Sequence, residues 1–92
     1  MMTLDDDGTG KLKLHGEATI HTASDLQAAL VTAKAKGSTS FELDLSDLTE
    51  LDTAGAQLLV AFKRSRLPVT IHSCPNGLRD FLRNVGLEPW LF

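Results

Sequence analysis

The stretch Leu43-Asp44-Leu45-Ser46-Asp47-Leu48-Thr49-Glu50-Leu51-Asp52-Thr53-Ala54-Gly55-Ala56-Gln57-Leu58-Leu59 constrains the fold more than any other part of the chain. Its hydrophobic spacing changes within a few residues from strand-like alternation to a helical period. Phe41, Leu43 and Leu45 fall on one face of an extended segment over 41–46, and a loop is expected over 47–50. The helical pattern begins near Ala54 and runs to Arg66, with Leu58, Ala61 and Phe62 as its apolar stripe and Lys63, Arg64 and Arg66 towards its C-terminus. Either Asp52 or Thr53 can serve as N-cap, since each offers a side-chain oxygen to an orphaned backbone N–H.

The flanking segments repeat this strand-to-helix grammar. Lys11-Leu12-Lys13-Leu14-His15 alternates as a strand with one wet face, and Glu17-Ala18-Thr19-Ile20-His21 is a second short extended segment. Ser24 and Gln27 have capping-box spacing, and Leu26, Ala29, Leu30 and Ala33 mark a helix that Gly37 closes. Pro68 ends the second helix and opens the strand Val69-Thr70-Ile71-His72. A third helix is predicted over 76–84, with Leu78, Phe81, Leu82 and Val85 inward and Gly86 as its cap, followed by a short apolar tail over 87–92. Helices that connect successive parallel strands by right-handed crossovers stack on one side of the sheet. The expected fold is therefore α/β: one domain over 11–92, with a mixed sheet of four or five strands and helices mostly on one face. Residues 1–10 read as a flexible N-terminal tail.

With 92 residues there is room for one core only. A formal net charge of −3 argues against a nucleic-acid partner, whose phosphates call for clustered Lys and Arg. The single cysteine, Cys74, excludes an intramolecular disulfide. The first residues lack the basic and apolar regions of a signal peptide, and no apolar run reaches spanning length, so a cytoplasmic, monomeric protein without membrane insertion is expected.

Little in the chain suggests catalysis. His15, His21, His72 and Cys74 match no closed zinc signature, and neither a metal nor another cofactor is expected. Asp44, Asp47, Glu50 and Asp52 read as a solvated rim, because general acid/base work needs carboxylates with separated pKa values in a dry pocket. Ser46 and Ser73 have no nucleophile-elbow context. Trp90 and Phe92 either pin the tail to the core or form a partner-binding patch. The turn Ala54-Gly55-Ala56 carries almost no side-chain bulk at a positive helix end, which suits either close approach of another molecule or tight packing alone.

With Gly16-Glu17 ahead of the first helix, the strand Leu43-Asp44-Leu45-Ser46, the turn Leu51-Asp52-Thr53-Ala54-Gly55 and the ending Val85-Gly86-Leu87, the sequence resembles the STAS family of sulfate-transporter and anti-sigma-factor-antagonist domains. The resemblance implies a non-catalytic regulatory module of bacterial signal transduction. Its expected partner is a protein: a kinase, an anti-sigma-like or chemotaxis signalling protein, or the ATPase of a lipid-transport ABC complex in which the domain is a permanent subunit. The implied contact surface is Asp52, Thr53, Ala54, Gly55 and Gln57. In the family, the residue before the turn glycine is often a serine phosphorylated by the partner kinase. Here it is Ala54, and Thr19 replaces the family's aspartate after Gly-Glu. Alanine has no hydroxyl to accept a phosphoryl group, which leaves Thr53 as the phosphorylation candidate.

Overall fold

The computed structural model describes residues 1–92. In chain order the elements are β1 (Met2–Asp6), β2 (Lys11–Ala18), α1 (Ala23–Ala35), β3 (Phe41–Asp44), β4 (Leu48–Leu51), α2 (Thr53–Lys63), β5 (Val69–His72), α3 (Asn76–Asn84) and α4 (Glu88–Leu91). The sheet is five-stranded and mixed, organised around β2. β1 runs antiparallel along one edge of β2, with Met2 opposite Gly16 and Asp6 opposite Leu12. β3 and β4 follow one another along the other edge, both parallel to β2, and β5 lies parallel outside β3.

Strand alternation divides the sheet into two unlike faces. Leu12, Leu14, Phe41, Leu43, Val69 and Ile71 are buried, and they meet Leu26, Leu30 and Ala33 of α1, Ala56, Leu59 and Phe62 of α2, Leu82 of α3 and Leu91 of α4 in one apolar cluster. The rings of Phe41 and Phe62 pack tilted, with centroids 5.4 Å apart. The opposite side chains, Lys11, Lys13, His15, Glu42, Asp44, Thr70 and His72, are polar, so the helices share the apolar side as expected. On the polar side, His15 Nε2 lies 2.7 Å from Asp5 and its Nδ1 lies 3.1 Å from Asp47.

Several expectations need correction. The segment assigned to a flexible tail contains β1, paired with β2 over its whole length. Met2, Leu4 and Asp6 alternate inward, but three consecutive aspartates mask the pattern. Asp6 is accommodated by Lys36 at 3.2 Å, and the hairpin turn is held by Gly8 N–H donating to Asp6 and by Thr9 and Lys11 N–H donating to Asp7. The segments expected as separate strands on either side of Gly16 are one strand, β2, ending at Ala18. Gly16 sits at φ +86° where the register with β4 shifts, and a Cβ there would strike the Met1 carbonyl. A bulge at a glycine thus bends one strand where the sequence suggests a break.

The expected loop over 47–50 is mostly β4, which runs on to Leu51 and gains its hydrogen bonds from the bent end of β2 and not from any propensity of its own. The capping box at Ser24 does not form: α1 starts at Ala23 after Thr22. The stripe of α2 is rotated, with Leu59 and Phe62 buried, Leu58 half-buried and Ala61 exposed. In α3 Leu82 is buried, whereas Val85 is exposed, and the tail contains the single turn α4.

The rotated stripe yields a stability prediction. Leu59→Ala should cost about 2–5 kcal/mol, because it opens a cavity beneath α2. Phe62→Asp should unfold the domain by burying an unpaired charge, whereas Val85→Asp, at the exposed C-cap of α3, should cost no more than about 1 kcal/mol. Urea denaturation midpoints check the order, and equal losses at 59 and 85 would contradict this assignment of the core.

Candidate functional site

The N-terminus of α2 is fixed by one side chain and one missing side chain. Asp52 has extended backbone angles (φ −120°, ψ −177°) and is the N-cap: its Oδ1 accepts from Gly55 N–H at 3.0 Å. Its Oδ2 accepts from Ile20 N–H at 2.9 Å, so the same carboxylate holds the loop between β2 and α1. The backbone closes the circuit, with Asp52 N–H donating to Ala18 O at 3.2 Å. Gly55 lies directly against that carbonyl, where any Cβ would collide with it. The alternative cap, Thr53, is exposed and makes no capping bond.

These donors shape the electrostatics. The Gly55 N–H, followed by the Ile20 N–H, holds the Asp52 carboxyl below the usual carboxylate range. The anion is thereby spent inward, on the helix dipole and the neighbouring loop. The outward surface of the turn is neutral and small: Thr53 and Gln57 are exposed, Ala54 is half-buried, and Gly55 and Ala56 are buried.

The adjoining loop is held by hydroxyls. Thr22 Oγ1 accepts from Thr19 N–H at 3.0 Å and donates to Glu17 O at 3.0 Å, and both threonines are buried. Ile20, whose backbone bonds Asp52, is 65% exposed. The sequence reading missed it, because an alternating strand over 17–21 would turn Ile20 inward with Ala18. Only the end of β2 at Ala18 turns it out.

The five residues expected to contact a partner therefore fall into two groups: Thr53, Gln57 and part of Ala54 reach the surface, while Asp52 and Gly55 support them from behind. The other candidate residues do not converge. No group of three His, Cys, Asp or Glu side chains is arranged to hold a metal ion. His72 Nδ1 lies 2.8 Å from Ser73 Oγ, but the register neighbour Asp44 is engaged by Ser46 N–H at 2.8 Å. Burial pushes the Cys74 thiol up, which disfavours the reactive thiolate. In the tail, Leu91 is the buried pin. Trp90 and Phe92 stay partly exposed beneath the guanidinium groups of Arg64 (5.4 Å) and Arg79 (4.3 Å).

The clamp yields two predictions. Asp52→Ala should cost about 2 kcal/mol, since both a cap and a bond to the neighbouring loop are lost. Gly55→Ala should cost on the order of 3 kcal/mol, because the added methyl meets backbone and not a movable side chain. Circular-dichroism melts check both. Because the folded pKa of Asp52 lies below its unfolded value, its contribution is complete at neutral pH and falls away as pH drops through the carboxylate range towards the folded pKa. Asp52→Asn can still cap but cannot titrate, so its stability should decline less steeply below about pH 4. An acid limb as steep as that of the wild type would refute the coupling.

The fold recurs in solved structures. The anti-sigma factor antagonist SpoIIAA in its unphosphorylated form superposes with a TM-score of 0.71 at 18% identity, covering 100% of this chain and 86% of that one. An anti-sigma factor antagonist from Mycobacterium paratuberculosis gives 0.78 at 21% identity, covering 99% and 81%. The phosphorylated form of the Bacillus cell fate determinant SpoIIAA gives 0.66 at 18% identity, covering 100% and 89%. A search of curated protein sequences returns no match. The family model described as "Mlab, STAS domain" matches residues 1–91, from the β1 hairpin through the turn at Asp52 to α4, and the chain therefore belongs to the STAS domain family.

Proposed function

We propose that this STAS domain is a non-catalytic regulatory module that binds a signalling protein through the turn Asp52–Gly55, Gln57 and the exposed face of α2. One observation carries the reading: a small, neutral turn is clamped from behind by Asp52 and Gly55, so its outward surface is preorganised and its backbone can be approached closely. The exposed Ile20 beside it supplies an apolar contact of the kind that anchors an interface. A kinase, an anti-sigma-like protein or a chemotaxis signalling protein of the bacterial cytoplasm is the partner class of this reading, which the fold shared with anti-sigma factor antagonists supports.

Thr53 is the modifiable residue of the turn. Its hydroxyl is exposed, whereas the neighbouring Ala54 offers no acceptor. Phosphate here would stand at a helix N-terminus, which tolerates negative charge, yet it would obstruct an interface fitted to a small neutral side chain.

A second reading, a permanent subunit packed on the ATPase of a lipid-transport ABC complex, is favoured by the same Ile20, because an exposed branched aliphatic next to the site suits a surface that stays covered. The two readings differ in exchange. A signalling contact separates and rebinds on dilution, while a subunit contact survives purification.

The deciding experiment identifies the protein that co-purifies from the native cell and measures its affinity for the wild type and two variants. Thr53→Glu should weaken binding about tenfold or more with an unchanged melting temperature, and Thr53→Ala should have a milder effect on affinity. Incubation with a cognate kinase should label Thr53 and no other residue of the turn. Unaltered affinity in Thr53→Glu would reduce the turn to a helix cap and overturn the site.

A further inference from the structure

A groove separate from the turn runs along the seam between α1 and α2. Leu30, Val31, Leu58, Ala61 and Phe62 line it, and Gln27 and Lys34 stand at its rim. Val31 is 61% exposed, which no fold requirement explains, since Leu26, Leu30 and Ala33 already seat α1 on the sheet. The groove is open to solvent and offers about 150 Å³, the volume of a cavity that holds one benzene-sized group. It can therefore take a single Leu- or Phe-sized anchor.

Charge identifies the occupant. At the C-terminal ends of the two helices the groove continues into a second depression lined by Lys34, Ser65, Arg66 and Leu67, and neither depression has an acidic residue in its lining. The chain carries a net charge of −3, and Lys13, Lys36, Arg79 and Arg83 all pair with its carboxylates. Lys34 and Arg66 do not: Lys34 lies over the Phe62 ring, with Nζ 5.3 Å from its centroid, and Arg66 is exposed. An apolar furrow that ends in unpaired cations complements a helix with an apolar stripe and carboxylates at one end.

We infer that the α1–α2 seam is a second docking surface, which takes an acidic amphipathic helix of a protein partner, with one large apolar side chain beside Val31 and Leu58 and carboxylates facing Lys34 and Arg66. A helix laid there extends the helical layer over the seam between α1 and α2. It buries Val31 and Ala61 without disturbing the turn at Asp52. α1 itself bears one acidic residue in its first turn and α2 bears none, so neither outer helix of a second copy supplies the complementary charge.

The test uses the intact domain and two capped synthetic helices that share one leucine stripe, the first carrying glutamates on its polar face and the second lysines. In two-dimensional amide NMR the glutamate helix should shift Gln27, Val31, Lys34, Leu58 and Ala61, with affinity falling as salt rises, and the lysine helix should not. Ala61→Glu and Lys34→Glu, both at exposed positions, should each weaken the glutamate helix about tenfold while leaving the spectrum otherwise folded. Equal binding of both helices would overturn the inference, as would shifts confined to other surfaces. Concentration-dependent shifts of the same amides without peptide would assign the seam to self-association and overturn it equally. The turn assignment is read from native-partner affinity, so either reading can fail alone.

Discussion

The backbone contact between Gly55 and Ala18 governs how the domain is put together. A helix that starts against the end of a strand must bring its first turn within van der Waals reach of that strand's carbonyl, and only a residue without Cβ permits it here. Once the approach is made, Asp52 can bridge two chain segments far apart in sequence, accepting from Ile20 on one side and Gly55 on the other. The start of α2, the turn of the β2–α1 loop and the exposure of Ile20 then follow from one geometric condition. Because the hydrogen bonds to the carboxylate are to backbone N–H groups, the clamp does not depend on side-chain rotamers elsewhere.

The two faces of the sheet divide the energetic work. Apolar packing lies on the helical side, where burial of leucine and phenylalanine side chains provides the main stabilisation. The other side is a lattice of polar and charged groups: Lys13 and His15 both reach Asp47, and His15 also reaches Asp5. Exposed pairs of this kind contribute little to stability individually. Their value is positional, since they tie the edge strand β1 and the β3–β4 connection to β2. Charged residues on β1, and Pro68 ahead of β5, also make the two sheet edges poor templates for further strand pairing.

Most of the architecture was legible because its signals are local. The alternation at Phe41, Leu43 and Leu45, the breaker Pro68 and the bounds of α3 all correspond to elements where periodicity and punctuation agree. The errors occur where an element depends on tertiary partners. β4 has no alternation and exists because the bulge at Gly16 presents the end of β2 to it. β1 is hidden by Asp5, Asp6 and Asp7, of which Asp6 is tolerated on the inner side through Lys36. The α2 stripe was rotated by one residue because Leu58 and Leu59 are equally apolar, and which of them faces the core is set by Gly55 at the strand contact. Within the site, the small turn was readable from composition. The cap stayed ambiguous between Asp52 and Thr53 until the Ile20 N–H selected Asp52.

The disposition of charge along α2 gives its exposed face a direction. At the N-terminus the helix dipole is answered by Asp52, which is turned inward, and no acidic residue occupies the first turn, so the surface there is neutral. At the C-terminal end Lys63, Arg64 and Arg66 accumulate, joined by Lys34 from α1. Lys63 donates to Val69 O, Arg64 stacks on Trp90 and Lys34 lies over Phe62, so none of these cations is paired with a carboxylate. The exposed face of α2 thus has a neutral end and a basic end about one helix length apart. Neutral fit cannot distinguish the two directions along a helix, but an asymmetric charge can, because the reversed orientation would leave the partner's carboxylates without cations. On the docking proposed above, a partner's orientation would therefore be set at the C-terminal end of α2, remote from the turn at Asp52.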